Sequence, residues 1–380
     1  MAKLVFHVDS LLPALSQVVG VVNSKNALPI LGDIVFTTKN GDLSLTSSDS
    51  ETWLDISAPC VECDGDLRFC INATDIYKAL QNLKGKTVTM ALDEEAHTVK
   101  CTYDNGHFAL PFEDATEFPK ANMDMAGAVS RTLGGGHFVT AIKQAEFATA
   151  SDELRPIMNG VHFDFLEEGM ISVATDGHKL AKAINKAITL ELTDGIVCDG
   201  FTLPKKPAHI LINVLNGFGG DITMTNNDKC VIVRNGDFTL ATRLIEGHYP
   251  NYNSVIPQDN NVITTVDKAA FVSALKRVIP MSNSSSELIQ LAFTAGKVTL
   301  SAVDYDFSKS ASEDVVCDYN GEDLTIGFKG STLMEITQSI GGDSIRIALK
   351  DCSRAGLFAP ANEDGNVEYL ALLTPMLIQN

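Results

Sequence analysis

The sequence predicts an α+β protein made of three tandem copies of one unit, each with two helices packed on antiparallel sheet. Three observations predict it. A strand–helix–glycine–strand phrase occurs three times: Asp66–Met90 reads DLRFCINATDIYKALQNLKGKTVTM, Asp199–Met224 reads DGFTLPKKPAHILINVLNGFGGDITM, and Asp323–Ile347 reads DLTIGFKGSTLMEITQSIGGDSIRI. The stretch before it also recurs, with Leu28–Phe36 lying 127 residues ahead of Arg155–Phe163 and Asp49 lying 127 ahead of Asp176. Between the helices the apolar residues alternate with period two, as half-buried strands do.

Each copy opens on an amphipathic helix, seen at Leu11–Leu15, Phe138–Ile142 and Phe271–Leu275. Asp9 and Asp267 stand near two of these starts, where a helix N-terminus favours an acid. Strands follow at Leu28–Phe36, Arg155–Phe163 and Leu288–Phe293, then at Leu43–Leu45, Ile171–Val173 and Val298–Leu300, each of the latter running on to an aspartate: Asp49, Asp176 and Asp304. In the thrice-written phrase, Phe201 and Leu203 alternate as a strand and Pro204 breaks it. Ile210, Leu211, Val214 and Leu215 have helical spacing. Gly217–Gly220 stops the helix, because glycine accepts the left-handed conformation a C-terminus needs, and Ile222 and Met224 open a new strand. Further strands are predicted at Val99–Tyr103, Phe108–Leu110, Val231–Val233, Phe238–Thr242, Leu357–Phe358 and Tyr369–Leu373. Polar or Pro/Asn-containing joints near Ala121–Ser130 and Pro250–Val262 divide the chain into domains 1–125, 126–253 and 254–380.

The 380 residues hold no apolar run long enough to cross a bilayer. His7 and Asp9 interrupt the N-terminal apolar run, which makes a poor signal peptide. Eight scattered cysteines, Cys60, Cys63, Cys70, Cys101, Cys198, Cys230, Cys317 and Cys352, read as reduced thiols of a cytosolic protein. Cys60-x-x-Cys63 with Cys70 lacks the second pair that zinc needs, so no metal is expected. Two rival classes, an enzyme and an adhesive β-repeat protein, find little support. Asp176-Gly177-His178 sets an acid near an imidazole, but no GxSxG-type turn supplies a nucleophile. Gly134–Gly136 lacks the Gly-Lys-Ser/Thr ending of a phosphate loop, and Gly217–Gly220 follows a helix, the reverse of the dinucleotide-binding order. No catalytic residue and no cofactor are expected. Lysine-rich helices argue against the adhesive class.

The formal charge is −19, unsuited to gripping nucleic acid by bulk electrostatics. Its distribution changes that reading. Helical segments 9–20, 72–86, 137–147, 205–217, 267–278 and 329–340 hold ten bases and five acids, a net of +5; the rest of the chain holds 19 bases and 43 acids, a net of −24. Glutamate is as good a helix former as lysine, so its near-absence from these helices points to a helix layer facing a polyanion.

Ala174–Ala181 (ATDGHKLA) and Glu246–Tyr252 (EGHYPNY), with Leu28–Leu31, Met158–Gly160 and Thr374–Met376, give a specific pattern. On these motifs and the three repeats the whole chain resembles the β sliding clamp family, the processivity subunits of bacterial DNA polymerase III. The resemblance implies three similar DNA-clamp domains and a head-to-tail homodimer closed into a ring, its helices lining the hole and its sheets forming the wall. It implies a non-catalytic, cytoplasmic, nucleoid-associated protein that encircles double-stranded DNA without sequence preference. It places DNA contacts at Lys25, Arg155, Lys205 and Lys206, and the dimer joint at Phe108 and Leu110 on one side and Pro280 and Met281 on the other. It places a peptide pocket between domains 2 and 3 at Met158, Thr175, Gly177, His178, Lys179, Leu180, Pro250, Val255, Leu373, Thr374, Pro375 and Met376, taking short motifs of the replicative polymerase, the clamp loader and other clamp-binding proteins. One departure stands out. The family usually carries Met-Pro-Met followed by arginine, whereas this chain has Thr374-Pro375-Met376-Leu377 and runs on to Asn380.

Overall fold

The computed structural model describes residues 3–167, 169–188, 200–362 and 365–378. The first copy runs β1 (Lys3–His7), α1 (Val8–Val19), β2 (Asp33–Lys39), β3 (Asp42–Ser48), β4 (Thr52–Ala58), β5 (Glu62–Cys63), β6 (Leu67–Asn72), α2 (Ala73–Gln81), β7 (Thr87–Asp93), β8 (Thr98–Tyr103), β9 (Gly106–Pro111) and β10 (Glu113–Asp114). The second runs β11 (Val129–Gly134), α3 (Gly135–Ala145), β12 (Gly160–Leu166), β13 (Gly169–Thr175), β14 (Lys179–Asn185), β15 (Phe201–Pro204), α4 (Lys205–Val214), β16 (Asp221–Asn226), β17 (Cys230–Arg234) and β18 (Phe238–Arg243). The third runs β19 (Val262–Asp267), α5 (Lys268–Val278), β20 (Leu288–Thr294), β21 (Lys297–Asp304), β22 (Lys309–Val316), β23 (Leu324–Lys329), α6 (Gly330–Ser339), β24 (Ser344–Leu349), β25 (Gly356–Pro360) and β26 (Val367–Leu373).

Each copy is therefore strand–helix–three strands written twice, with β5 and β10 as additions to the first. A strand precedes the opening helix of every copy, at β1, β11 and β19, which the sequence pattern did not reveal. The six helices fall where their spacing predicts, α2, α4, α5 and α6 being shorter. Their ends are dictated locally. Asn72 accepts from the N–H groups of Thr74 and Asp75 at the start of α2, and Asp267 from that of Ala270 at the start of α5. Such caps contribute about 1 kcal/mol each. Past the second helix of each copy a glycine takes the left-handed conformation: Gly85 at φ 78°, Gly217 at 77° and Gly342 at 78°.

All strand pairing in the four sheets is antiparallel, in the orders β5-β1-β7-β8-β9, β10-β6-β2-β3-β4-β18-β17-β16-β11, β15-β12-β13-β14-β26-β25-β24-β19 and β22-β21-β20-β23. The two long sheets cross the joints between copies. Trp53 of β4 pairs with Ala241 of β18, and Lys179 of β14 with Leu373 of β26. Compactness thus does not follow the repeat. One compact unit takes the chain up to Gly136 with Lys206–Leu244; the other takes His137–Lys205 and the chain from Ile245 onward.

Helices bury one stripe each. In α1 it is Val8, Leu11, Leu15 and Val18; in α5 it is Phe271, Ala274, Leu275 and Val278. A buried serine fastens a helix to its sheet in each unit: Ser47 Oγ donates to the Val18 carbonyl at 2.8 Å, and Ser172 Oγ to the Ala141 carbonyl at 2.9 Å.

Asp33, at the start of β2, is a strained exception. It is buried, and its carboxyl is pushed up to about 6 by that burial and by the nearby charge of Glu113, against a bond from the Asn72 amide. A carboxyl raised in the folded state opposes folding when ionised. The penalty is full above pH 6 and is relieved as pH falls toward 4. Asp33→Asn is expected to stabilise the protein by about 1–3 kcal/mol at pH 7–8, with the gain vanishing near pH 4; urea midpoints across that range check it.

Candidate functional site

The cations of the helices come first. Within the observed bounds the six helices carry seven bases and three acids, a net of +4 where the broader predicted segments carried +5. Lys84, Lys86 and Lys329 fall outside them. Lys78, Lys143, Lys205 and Lys276 are exposed, and none has an ion pair among the described residues. Two of the three helix acids are engaged: Asp9 accepts from the Gly85 N–H at 3.0 Å, and Glu335 pairs with Lys179 at 2.7 Å. The uncompensated charge of the helices is therefore positive, in a chain with a large excess of acid.

The four predicted DNA contacts differ in kind. Lys25 is exposed on the loop after α1, and Lys205 opens α4; neither has an ion pair among the described residues. Arg155 is exposed, with Nε bonded to Asp152 at 2.8 Å. Its guanidinium lies against Gly177, where a Cβ would come within 3.2 Å of Nη1. Lys206 needs correction. Its three N–H donors have three acceptors: the Val21 carbonyl at 2.5 Å, Asn23 Oδ1 at 2.6 Å and Asp49 Oδ2 at 2.5 Å. The side chain of Asp49 is 7% exposed. Lys206 is thus an internal tie to segments 157 to 185 residues away, its three donors all engaged.

The second feature is an apolar face of the eight-stranded sheet, called the groove here, whose strand residues are buried under the segment that enters the third copy. Residues paired across antiparallel strands share a face, and successive residues alternate. One face receives helices: Ser172 bonds α3, Tyr369 Oη meets Ser339 of α6 at 2.7 Å, and Lys179 pairs with Glu335 of α6. The other face presents Ile171, Val173, Leu180 and Leu372, packed with Leu357 and with Tyr249, Tyr252 and Ile256 of the segment entering the third copy. The hairpin between β13 and β14 is locked locally. Asp176 Oδ1 accepts from the N–H groups of His178 and Lys179, both at 2.8 Å, and Thr175 Oγ1 donates to the Lys179 carbonyl at 2.7 Å. Gly177 lies at φ 91°, a conformation that favours glycine. Thr374 donates both its N–H and its hydroxyl to the His178 carbonyl, each at 2.9 Å, and the Met376 N–H reaches the Gly327 carbonyl on β23.

The aromatic wall stands on a polar network. Tyr252 Oη donates to Asp164 Oδ2 at 2.7 Å, His162 Nε2 meets Asp164 Oδ1 at 3.1 Å, and the Tyr249 ring stacks on His162 with centroids 4.5 Å apart. The His162 bond, aided by that of Tyr252, holds the Asp164 carboxyl below the usual range. Burial pushes both tyrosine phenols up.

Of the predicted pocket residues, Thr175 and Leu180 lie on the groove face, with Gly177 and the exposed His178 at its hairpin. Pro250 and the 58%-exposed Val255 belong to the covering segment. Met158 is buried at the end of the one-turn helix Pro156–Met158, whose Ile157 side chain approaches Gly247. Thr374, Pro375 and Met376 are half-buried along the chain leaving β26. Lys179 and Leu373 are placed differently from Leu180. They pair with each other on the helix face, one alternation away from Leu180 and Leu372. Val173, Leu372, Tyr252, Ile256 and Lys182 are groove residues that motif matching missed; period-two counting from Leu180 finds the strand members.

At two of the sheet edges lie the residues predicted for the dimer joint, and Phe108 and Leu110 are half-buried on β9. Pro280 and Met281 are exposed in the one-turn helix Ile279–Met281 beside β21 and β22. Tyr305, 90% exposed, and Phe307, 69% exposed, flank them unpredicted. Asn283 fastens the two segments by donating to Asp306 at 3.1 Å. No group of three or more His, Cys, Asp or Glu suited to a metal occurs among the described residues. Burial raises Cys63 and Cys70 to about 12, which leaves both as thiols. Cys198 lies outside the described residues.

Known proteins match this chain from end to end. Family models of the DNA polymerase III β subunit match over residues 2–124 for its N-terminal domain, 132–251 for its central domain and 253–375 for its C-terminal domain. A β sliding clamp of Caulobacter vibrioides is 27% identical over 377 residues, spanning 97% of this chain and 99% of its own. That of Escherichia coli is 24% identical over 344 residues, spanning 90% and 92%. Among solved structures, a sliding clamp from Bartonella birtlesii bound to griselimycin has a TM-score of 0.87 at 24% identity, spanning 99% of this chain and all of its own. One from Caulobacter crescentus with PEG bound has a TM-score of 0.83 at 26% identity, with the same spans.

Three like copies, shared sheets and helices with uncompensated lysines define a DNA clamp. The chain belongs to the DNA polymerase III β subunit family, the β sliding clamps. Its function is that of a DNA sliding clamp in replication, a processivity factor without catalytic chemistry of its own.

The tie at Lys206 separates stability from DNA contact. Lys206→Met is expected to cost about 2 kcal/mol or more, because it strands the buried Asp49 carboxylate, whereas Lys205→Met is expected to leave the urea midpoint unchanged.

Proposed function

We propose that two copies of this chain close head to tail into a ring around duplex DNA, and that the groove docks short peptide motifs of the replicative polymerase, the clamp loader and other partners. The observation that carries the ring is the inventory of sheets. Two sheets bridge neighbouring copies, one of nine strands and one of eight. The remaining two are halves, of five and four strands, whose free edges include β9 and β22. Pairing β9 of one protomer with β22 of the other makes a third bridging sheet equivalent to the nine-stranded one. Phe108 and Leu110 on one side and Met281, Tyr305 and Phe307 on the other supply the apolar surface that such a joint buries.

The proposed domains are 1–125, 126–253 and 254–380, the limits of the sequence copies rather than of the compact units. Lys25, Lys205 and Arg155 are the proposed phosphate contacts, with Lys78, Lys143 and Lys276 adding to the same charge. Few cations suit sliding, since each phosphate contact adds to salt-dependent affinity and a closed ring needs little affinity to stay. The protein's place of work is then the bacterial cytoplasm, on the nucleoid. Partner peptides meet the accessible rim of this face at His178, Val255 and Thr374–Met376, with leucine and phenylalanine directed toward the buried cluster of Val173, Leu180 and Leu372. Partners held there act at a raised local concentration on DNA.

The protein loaded on nicked circular DNA is expected to stay bound through gel filtration and to be lost once the circle is linearised. Equal retention on both forms would refute encirclement. Leu110→Asp is expected to give a monomer in light scattering and to abolish retention. For the groove, Val255→Asp at an exposed rim position is expected to weaken a glutamine–leucine–phenylalanine peptide about ten-fold or more by burying a charge against the ligand, with the dimer intact. An unchanged titration would count against docking there.

A further inference from the structure

We propose that Lys206 is a positioning residue that holds the loop carrying Lys25 in place for DNA, an inference that rests on Lys25 being a phosphate contact. That loop, residues 20–28, runs largely exposed from the end of α1 to the one-turn helix Pro29–Gly32. Left to itself such a segment samples many conformations, and a lysine on it loses that freedom on meeting phosphate. Lys206 reaches the loop from the first turn of α4. Its ammonium donates to the Val21 carbonyl at 2.5 Å and to Asn23 Oδ1 at 2.6 Å. The third donor goes to Asp49 Oδ2 at 2.5 Å, while Asp49 Oδ1 accepts from the N–H groups of Glu51 at 3.1 Å and Thr52 at 2.8 Å. From Asn23 the tie runs on, since the Asn26 amide donates to the Asn23 carbonyl at 2.9 Å. Lys25 stands between these two asparagines, exposed and without an ion pair among the described residues. All of these residues belong to one compact unit.

The other two copies show what this tie replaces. Asp49, Asp176 and Asp304 are matching residues, each at or just past the end of a strand. In the third copy the loop after α5 fastens itself to that turn: Asn283 donates to Asp304 Oδ1 at 3.4 Å and to Asp306 Oδ2 at 3.1 Å. In the second, Arg155 of the loop after α3 lies against Gly177, next to Asp176. In the first, no side chain of residues 20–28 bonds the turn after β3 directly among the described residues. Lys206 supplies the missing link from another copy's helix. The side chain of Asp49 is 7% exposed, and a carboxylate so placed needs a cation. A lysine suits the position because its three donors serve one carboxylate and two loop oxygens at once. Lys205, the next residue, is exposed without an ion pair among the described residues. The two neighbours thus divide the work: one offers its charge to phosphate, and the other sets the loop from which Lys25 does the same.

A short labelled duplex titrated against the full-length protein by fluorescence anisotropy, at several salt concentrations, tests this. Each phosphate contact adds to the slope of log affinity against log salt. Lys25→Met is expected to lower that slope by about one per protomer. Asn23→Ala cuts the loop from the ammonium but leaves the Lys206–Asp49 pair in place. It is expected to lower the slope nearly as much, with the urea midpoint unchanged. Lys206→Met is expected to lower the slope as well, and neither change is expected to lower it further in the Lys25→Met background. A lysine that only stabilised the fold would show no such dependence on Lys25. The native slope in Asn23→Ala overturns the positioning. So does a Lys206→Met change that still lowers the slope in the Lys25→Met background, since Lys206 then touches phosphate itself. If Lys25→Met keeps the native slope, Lys25 is no phosphate contact, and the positioning falls with that assignment.

Discussion

A strand edge is a row of unpaired backbone donors and acceptors, and disposing of those edges governs how this chain is built. At its two internal joints it pairs β4 with β18 and β14 with β26, so neighbouring copies share one sheet. β23 receives the chain leaving β26, through the bond from Met376 to Gly327. β9 and β22 are terminal strands, each with one strand neighbour among the described residues. Isolated edges are usually blunted by charge, proline or brevity. β22 has eight residues, and its acids Glu313 and Asp314 are neutralised by Arg277 and Lys297. Tyr305 and Phe307 are exposed beside it. The proposed closure between protomers would repeat the internal joints.

Electrostatics then divides the labour between layers. Surface ion pairs contribute little stability each, so pairing or not pairing a lysine matters chiefly for what the surface offers. Here Lys3, Lys86, Lys297 and Lys350 all face carboxylates. Lys78, Lys143, Lys205 and Lys276 on the helices face none among the described residues. A mobile, hydrated ammonium exchanges phosphate contacts easily, whereas a bonded one such as Lys206 does not. The distinction between holding the fold and touching DNA is therefore a distinction in what surrounds each nitrogen.

Much of this was legible in the sequence because its signals are local. A helix that must stop against a sheet needs a left-handed residue, and Gly85, Gly217 and Gly342 punctuate the copies at matching places. The 127-residue step aligns strands whose apolar period was already visible. What escaped depends on contacts distant in sequence. Lys205 and Lys206 are neighbours of one type, and only the fold brings Asp49 to the second. Lys179 and Leu373 belong to the family's pocket by motif, yet they pair across β14 and β26 on the helix face. Domain limits drawn from repeats miss that β11 and β16–β18 share a sheet with the first copy. Continuity of chain and continuity of sheet are separate properties.

The strand β14 shows why both surfaces can work at once. Lys179, Ala181 and Ala183 face the helices, and Leu180, Lys182 and Ile184 face the groove, by nothing more than the pleat. On the proposed sites, a peptide and a polyanion would meet opposite faces of one sheet. The sheet between them is rigid, since every interior strand is paired on both sides. The hairpin links the two faces, since the Arg155 guanidinium rests on Gly177 one residue from His178, and on the proposed sites that contact would be a short route between DNA and partner.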